Sequence, residues 1–223
     1  MQAGVFRDRR EAGARLAARL AQRHDLTGAI VYGLARGGVP VAAEVAAALD
    51  VPLEALIVRK LGAPGQPELA IGALAPDGVR VLNDALVRLL AISDRDIAAI
   101  ALAEARELER REREYRSGRP AADPVRRTAI LIDDGLATGA SMEAAVAWAR
   151  ARHAARVMVA VPVAADSAVE RLEREADEVI AILVPPVFEA VGAWYEDFSQ
   201  TSDEEVLARL AEADRRRRTK TPS

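Results

Sequence analysis

Short runs of branched apolar residues alternate with longer amphipathic stretches along most of the chain. The short runs predict buried strands, and stretches with apolar residues three and four positions apart predict helices. Strands are predicted at residues 29–33, 53–58, 128–133, 156–163 and 178–184, and the main helices at 9–22, 39–49, 142–155 and 167–175. Strands that alternate with helices form parallel sheets covered on both faces. The pattern therefore predicts an α/β fold, a mostly parallel twisted sheet flanked by helices.

Two interruptions divide this pattern. The turn residues 76–78, Pro-Asp-Gly, separate two apolar runs and predict a β-hairpin. A helical stretch follows, with Asn83 or Asp84 and then Ser93 as candidate N-caps, and with a solvated face rich in Glu and Arg. We predict one domain over residues 1–210, with a core at 1–62 and 126–185, a hairpin lid at 63–82, a helical insertion at 84–119, a C-terminal hood at 186–210, and a basic, disordered tail at 211–223.

Composition excludes several classes of function. The 223 residues include no cysteine, so disulfides, thiolate catalysis and cysteine zinc sites are ruled out. The two histidines, His24 and His153, lack the spacing of metal ligands. A net charge of −3 argues against a nucleic-acid partner. No apolar stretch reaches the length of a membrane span or signal peptide, so we expect a cytoplasmic protein without a membrane partner.

The segment from Ile130 to Ser141 carries the clearest chemistry. Branched apolar residues end a predicted strand, Asp133 and Asp134 follow, and a run of small and hydroxyl residues leads into a helix. Such a loop presents unpaired backbone N–H groups at the positive end of the helix dipole, which suits a phosphate group. The acids repel phosphate but can accept hydrogen bonds from sugar hydroxyls or lie near Mg²⁺. The segment predicts a site for a phosphorylated sugar, although simpler turns of this kind are often purely structural.

Two more loops are expected at the same edge of the sheet. One spans residues 33–38 and contains Arg36 and Gly37, and the other begins at Arg59 and Lys60. Ligands of open parallel sheets bind outside the carboxyl ends of the strands. Cations on two loops, and acids beside a phosphate cradle on the third, match a ligand with phosphate at one end and pyrophosphate at the other. Taken alone, each of the first two loops also fits an ordinary glycine turn or surface basic pair.

The string at residues 130–141 resembles the phosphoribosyl pyrophosphate (PRPP) signature of the type I phosphoribosyltransferases, which has two hydrophobic residues, two acids and a Thr-Gly loop. The resemblance also covers residues 6–9, the Arg-Gly-Gly and Arg-Lys-Leu-Gly strings, residues 67–70 and the string Trp-Tyr-Glu-Asp-Phe-Ser-Gln at 194–200. In these strings the chain resembles a bacterial group of predicted phosphoribosyltransferases of undefined acceptor. The resemblance implies a Rossmann-like core with a hood, and Mg²⁺-dependent transfer of ribose-5-phosphate from PRPP to a nitrogen nucleophile.

The resemblance also implies a role for each loop. Asp133 and Asp134 would hold the ribose hydroxyls, directly or through water beside Mg²⁺. The first loop would hold pyrophosphate and contain a non-proline cis peptide at Ala35, Arg36 or Gly37. Glu68, in the lid, is either a contact to substrate or a solvated carboxylate. The remaining assignments are Arg36, Gly37, Arg59 and Lys60 for pyrophosphate, and Ala137, Thr138, Gly139, Ala140 and Ser141 for the 5-phosphate.

The acceptor is less well defined, and a nucleobase or related heterocycle is expected. Family members that act on 6-oxopurines carry an acid immediately before the Thr-Gly, whereas this chain has Ala137, as adenine-type members have a small residue. Trp194 or Tyr195 could stack on a base, or could pack the C-terminal segment onto the core. The hood could be the helical insertion or the C-terminal segment. A non-catalytic regulator that binds PRPP or a nucleotide is the alternative function, and a homodimer is left open.

Overall fold

The computed structural model describes residues 5–118 and 121–220. Its strands are β1 (Ile30–Leu34), β2 (Leu53–Leu56), β3 (Arg59–Ala63), β4 (Gln66–Leu74), β5 (Arg80–Leu82), β6 (Thr128–Ile132), β7 (Arg156–Val163) and β8 (Glu178–Leu183). Its α-helices are α1 (Arg9–Leu20), α2 (Gly38–Leu49), α3 (Asp84–Leu89), α4 (Asp94–Arg116), α5 (Ala140–Ala151), α6 (Asp166–Leu172) and α7 (Asp203–Lys220).

The main sheet has five parallel strands in the order β2-β1-β6-β7-β8. The chain leaves β1 for β2 on one side, and β6 later pairs with the other side of β1. The strand order therefore reverses between β1 and β6, where a crevice opens at the carboxyl ends of the strands. The predicted fold class, a mostly parallel sheet flanked by helices, is confirmed.

The core lies on both faces of this sheet, because successive side chains of a strand point to opposite faces. On β1, Val31 packs in one buried cluster with residues of α1 and α2, and Tyr32 packs in another with residues of α5. The helices α1 and α2 approach closely at Gly13, where a Cβ would lie 2.7 Å from the carbonyl oxygen of Val41. That close approach keeps the first residues of α1 near the edge of the crevice.

Residues 59–82, most of which lie in the predicted lid, form a separate antiparallel sheet in the order β3-β4-β5, which we call the lid after that prediction. The predicted hairpin is confirmed, since β4 and β5 pair across the turn at Pro76–Gly78. The prediction of a loop after Val58 is wrong, because residues 59–63 form β3 and pair with β4 from Arg59 opposite Leu74 onward. The backbone pairing with β4 holds this segment as a strand although its side chains are mixed. The turn is also tied to α5, where the indole N–H of Trp148 donates to Asp77 at 3.1 Å.

The helical insertion begins as its caps predict. The side chain of Asn83 accepts from the N–H of Leu86 at 3.1 Å, and that of Ser93 accepts from the N–H of Asp96 at 3.2 Å. The solvated face predicted for this insertion describes only part of α4. Three side chains of α4 are buried where the helix packs against the lid, β2 and α7, namely those of Ile97, Leu108 and Tyr115.

The end of the chain differs from its prediction. Residues 211–220, expected to be a disordered basic tail, continue α7 as far as Lys220. Pairs between Arg and Glu three or four positions apart, such as Glu212 with Arg216 and Arg209, support this part of the helix. Residues 1–4 of the predicted core, residue 119 of the predicted insertion and residues 221–223 of the predicted tail lie outside the described residues. None of the helices in the described part is both long and apolar enough to cross a membrane.

Candidate functional site

The loops after β1 and β6 meet at the reversal of strand order. A Cβ on Gly37 would lie 2.1 Å from Oδ2 of Asp134, and a Cβ on Gly38 would lie 2.5 Å from the carbonyl oxygen of Ile132. Two glycines therefore allow the backbone of the first loop to lie directly against the paired acids. The peptide bond between Ala35 and Arg36 is cis, at the position the family resemblance implies. The structure thus brings two of the three expected loops into one crevice.

The two acids differ in their surroundings. Asp133 accepts the backbone N–H of Asp134 on Oδ1 at 2.8 Å. Burial and the neighbouring charge of Asp134 raise the pKa of Asp133 well above its usual range, and the positive charges of Arg9 and Lys60 oppose that shift. Burial also raises the pKa of Asp134, but Arg9 counters it through an ion pair and hydrogen bond. Keeping both carboxylates charged is therefore energetically costly, and the nearby positive charges of Arg9 and Lys60 reduce that cost.

Asp134 is held by two side chains from opposite ends of the chain. Nε of Arg9 donates to Oδ2 of Asp134 at 2.8 Å, and the hydroxyl of Tyr195 donates to its backbone carbonyl at 2.6 Å. Sequence reasoning did not single out Arg9, which is the first residue of α1 and lies 125 positions from its partner. Its only sequence signal is its place in the string at residues 6–9 that takes part in the family resemblance.

The expected phosphate loop opens onto α5. Gly139 is the N-cap residue of α5 with a φ of 79°, which favours glycine, and Ala140 and Ser141 form the first turn. The first N–H groups of a helix have no intrahelical acceptor. Ala137 and Thr138 are exposed beside them. The start of α5 and the two exposed residues before it therefore offer a place suited to an anion, next to Asp133 and Asp134.

A side chain from α6 supports this loop. Nη1 of Arg171 donates to the carbonyl oxygen of Thr138 at 3.2 Å, and its Nε lies 3.3 Å from Oε1 of Glu143. Glu143 is buried in the first turn of α5, and burial raises its pKa while the charge of Arg171 lowers it. Oε1 of Glu143 has no hydrogen bond of good geometry among the described residues. Arg171, which the sequence did not single out, is therefore the group that offsets this buried charge.

The structure separates the expected cations. Lys60 is exposed and close enough to lower the pKa of Asp133, whereas Arg59 donates to Glu104 of α4 at 2.7 Å. The structure thus does not bring Arg59 to the acids. Arg36 lies at the crevice, with Nη1 3.9 Å from Oδ1 of Asp203 at the start of α7. Glu68 is exposed on β4, and no contact in the described part of the chain joins it to the acids.

The aromatic residues expected to clamp a base have other positions. Tyr195 is buried, and its ring contacts those of Phe6 and Phe198 at centroid distances of 5.4 and 5.1 Å. Its faces are therefore covered by protein, and its hydroxyl is used by Asp134. Trp194 is partly buried in the same apolar cluster, and its indole N–H is enclosed without an acceptor among residues 5–118 and 121–220. Tyr195 therefore packs the C-terminal segment onto the core, which is the alternative to stacking on a base.

The C-terminal segment covers the acids. A Cβ on Gly135 would lie 2.6 Å from Cγ1 of Val191, so this segment lies directly on the turn after Asp134. The helical insertion contacts the lid and the edge of the main sheet instead. Of the two candidates for the hood, the C-terminal segment is therefore the one against the paired acids.

A divalent cation would find few protein ligands here. The described residues bring together no group of three or more His, Cys, Asp or Glu side chains that could hold a metal ion. Mg²⁺ commonly binds through one or two carboxylates together with the phosphates of a substrate. Asp133 and Asp134 fit a metal ion that arrives with a phosphorylated ligand, and they do not fit an all-protein cage.

Comparison with known proteins gives a consistent result. The model of the phosphoribosyl transferase domain family matches residues 8–197. Two curated proteins from strains of Mycobacterium tuberculosis, provisionally described as phosphoribosyl transferases, are 49% identical over 213 residues, which is 95% of this chain. The match covers 47% of each of them, so the chain spans about half the length of these relatives.

Solved structures show the same fold. The protein TT1426 from Thermus thermophilus is 47% identical, with a TM-score of 0.80 over 93% of this chain and 98% of that one. A hypothetical protein from Neisseria gonorrhoeae, solved with bound ppGpp, is 9% identical with a TM-score of 0.50 over 99% of both chains, a likeness of fold alone. With the family model matched over most of its length, the chain belongs to the phosphoribosyl transferase domain family.

Proposed function

We propose that this chain transfers ribose-5-phosphate from PRPP to a nitrogen acceptor, with release of pyrophosphate and with Mg²⁺ as cofactor. The observation that carries the proposal is the contact between two loops. The backbone at Gly37 and Gly38 lies directly against Asp133 and Asp134, so a pyrophosphate on one loop and a pentose on the other would be adjacent. Family membership supports the general activity.

Each part of PRPP has a counterpart in the crevice. The 5-phosphate would be bound by the amides at the start of α5, from Thr138 to Ser141. The ribose hydroxyls would donate to the carboxylates of Asp133 and Asp134, which are good acceptors when ionised. The pyrophosphate would lie against residues 35–38 and the ammonium of Lys60.

The chemistry needs positioning more than covalent work. The bond from C1 of the ribose to the pyrophosphate oxygen breaks, its electron pair stays on the pyrophosphate, and the acceptor nitrogen bonds to C1 from the opposite face. Positive charge develops on the ring near the two carboxylates, and negative charge develops on the pyrophosphate near Lys60 and Arg36. Mg²⁺, when bound with PRPP, supplies further positive charge at the departing pyrophosphate.

The acceptor is proposed to be a nucleobase or a related heterocycle that reacts without an acid at the Thr-Gly loop. Ala137 offers no group that could remove a proton from a 6-oxopurine. Tyr195 is covered on both faces, so a clamp on the base would need Trp194 or another group of the C-terminal segment. The lack of a proton-accepting group at Ala137 favours acceptors whose nucleophilic nitrogen is already unprotonated at neutral pH.

Two measurements test the proposal. Isothermal titration of PRPP with Mg²⁺ should show saturable binding to the folded chain, and absence of binding would contradict the proposal. A pyrophosphate-release screen with PRPP and a panel of purines, pyrimidines, pyridines and amines should identify the acceptor. Binding without release across the panel would favour the second candidate, a non-catalytic PRPP or nucleotide sensor.

A further inference from the structure

Arg9, which sequence reasoning did not assign to the crevice, contacts a carboxylate, a backbone carbonyl and an aromatic ring there. Its side chain is only 12% exposed. Nε donates to Oδ2 of Asp134 at 2.8 Å, and Nη1 donates to the backbone carbonyl of Ser199 at 2.7 Å. The guanidinium carbon also lies 4.0 Å from the centre of the Phe198 ring. Three contacts from different directions fix both the position and the plane of this group.

The contacts of Arg9 leave part of Asp134 free for a ligand. A carboxylate has two oxygens with about four acceptor positions. Arg9 occupies Oδ2, and the backbone carbonyl of the same residue is occupied by the hydroxyl of Tyr195. These two contacts restrain the Asp134 side chain, and Oδ1 is the oxygen that Arg9 leaves to other donors.

This arrangement depends on a junction between the segment before α1 and the segment before α7, which we call the terminal junction (residues 6–9 and 194–199). The N–H of Phe6 donates to the carbonyl of Trp194, and the N–H of Glu196 donates back to Phe6, both at 2.8 Å. The N–H of Asp197 donates to Arg7, also at 2.8 Å. The terminal junction thus delivers both groups that hold Asp134, although neither segment belongs to the main sheet.

We propose that Arg9 is a positioning residue for the ribose of PRPP. It holds Asp134 by Oδ2 so that Oδ1 is presented to a ribose hydroxyl, and the hood segment at residues 198–199 keeps the guanidinium in place. The inference rests on the proposed function, since it assigns Asp134 to the ribose. It goes further by making the terminal junction part of the ribose site.

The test compares three variants by titration with PRPP and Mg²⁺ and by steady-state kinetics with the acceptor found in the screen. Arg9→Gln removes a hydrogen bond between charged groups, so the Kd and KM for PRPP should rise by about tenfold to a hundredfold, while the KM for the acceptor stays unchanged. Arg9→Lys keeps the charge but cannot hold Asp134 and Ser199 together, so a smaller rise is expected. Arg10→Gln, on the exposed side of α1 where Arg10 pairs with Glu44, is the matched control and should bind PRPP as the wild type does.

The outcomes separate the inference from the proposed function. A purely structural role would lower the fraction of active protein and hence kcat, and would leave both KM values as they are. If the wild type binds PRPP and a folded Arg9→Gln or Arg9→Lys variant binds it equally well, the inference is overturned and the proposed function stands. If Arg9→Gln does not fold, Arg9→Lys decides alone, because its charge and stem are retained. A wild type that binds no PRPP would contradict the proposed function itself.

Discussion

The guanidinium of Arg59 donates to the carboxylate of Glu104 at 2.7 Å, so the first residue of β3 is bound to the helical insertion. Its neighbour Lys60 is exposed and acts on the pKa of Asp133. Successive side chains of a strand point to opposite faces, which explains why two adjacent cations serve two different surfaces. Of these two cations, Lys60 is therefore the one placed to bind a ligand beside Asp133.

Substitution of the two cations should therefore have unequal effects. Lys60→Gln should lower kcat/KM for PRPP by about tenfold or more, because a charged hydrogen bond to pyrophosphate is lost. Arg59→Gln should leave kcat/KM within about threefold and lower the free energy of unfolding by less than about 1 kcal/mol, since its ion pair is partly exposed. Steady-state kinetics and urea unfolding of both variants check this. Equal losses of activity would show that both cations contact the ligand.

Asp133→Asn should weaken PRPP binding and stabilise the fold. The carboxylate of Asp133 is disfavoured by burial and by Asp134, and an amide oxygen can still accept the N–H of Asp134. Removal of a strained charge at a functional site commonly raises stability by about 1 kcal/mol, or a melting temperature by about 2–4 °C for a chain of this size. Thermal unfolding and titration with PRPP measure the two effects.

Asp134→Asn provides the contrast for that experiment. Its carboxylate is paired with Arg9, so loss of the charge leaves the guanidinium without its partner. This variant should be less stable than the wild type. A gain of stability in both variants, or in neither, would contradict the difference assigned to the two acids.

Much of the fold could be predicted because its elements follow local rules. The apolar runs of the five parallel strands and the caps at Asn83 and Ser93 are visible in the sequence and are present in the structure. β3 was missed because its pairing with β4 is a non-local contact, and Arg-Lys-Leu-Gly is no strand pattern. The end of α7 was missed because ion pairs along the helix, and not an apolar face, support it.

The site could be predicted in part, for a related reason. The acids and the Thr-Gly loop lie within one segment, so their chemistry is visible in sequence order. Arg9 and Arg171 act on that segment from 125 and 33 positions away, and only the folded chain shows those contacts. Tyr195 lies in the C-terminal segment that the sequence marks as a candidate hood. Its contacts with the rings of Phe6 and Phe198 could not be inferred from composition.

Gly37→Ala should disable the crevice and leave the fold intact. The backbone of Gly37 has a φ of −60°, which any residue adopts, so the added Cβ is disfavoured by its contacts and not by the backbone. It would lie 2.1 Å from Oδ2 of Asp134 and 3.3 Å from Nε of Arg9. The acid would have to turn away from Arg9, and PRPP affinity should fall by about tenfold or more. Gly28→Ala is the control, because Gly28 has a φ of +77° and open space around it. That control should lose about 1 kcal/mol of stability and keep its PRPP affinity.

The N-cap of α1 should make stability depend on pH. The side chain of Asp8 accepts the N–H of Glu11 at 2.8 Å, and this hydrogen bond is the main cause of its lowered pKa. A carboxyl group whose pKa is lower in the folded state stabilises the protein above its unfolded pKa of about 3.9, and this contribution disappears as the pH falls through the folded pKa.

Asp8→Ala should therefore cost about 1 kcal/mol at pH 7, and the difference from the wild type should shrink below the folded pKa. Asp8→Asn, which caps without titrating, should show no such change with pH relative to Asp8→Ala. Urea unfolding at pH 7 and at a pH below the folded pKa of Asp8 measures these differences. A wild-type advantage over Asp8→Ala that is constant with pH would contradict the role of the charged cap.

Arg171 should matter for the 5-phosphate and not for the pyrophosphate. It supports the loop through the carbonyl of Thr138 and offsets the buried charge of Glu143, but its side chain is half exposed. Arg171→Met should therefore weaken the binding of ribose-5-phosphate by only about two- to fivefold and leave the binding of pyrophosphate unchanged. It should also lower the melting temperature, because Glu143 keeps a buried charge without its partner.

Arg174→Met, an exposed position just beyond α6, is the matched control. Addition of Glu143→Gln to Arg171→Met should restore the melting temperature but not the ribose-5-phosphate affinity, and recovery of both would mean that Arg171 acts on the loop only through Glu143.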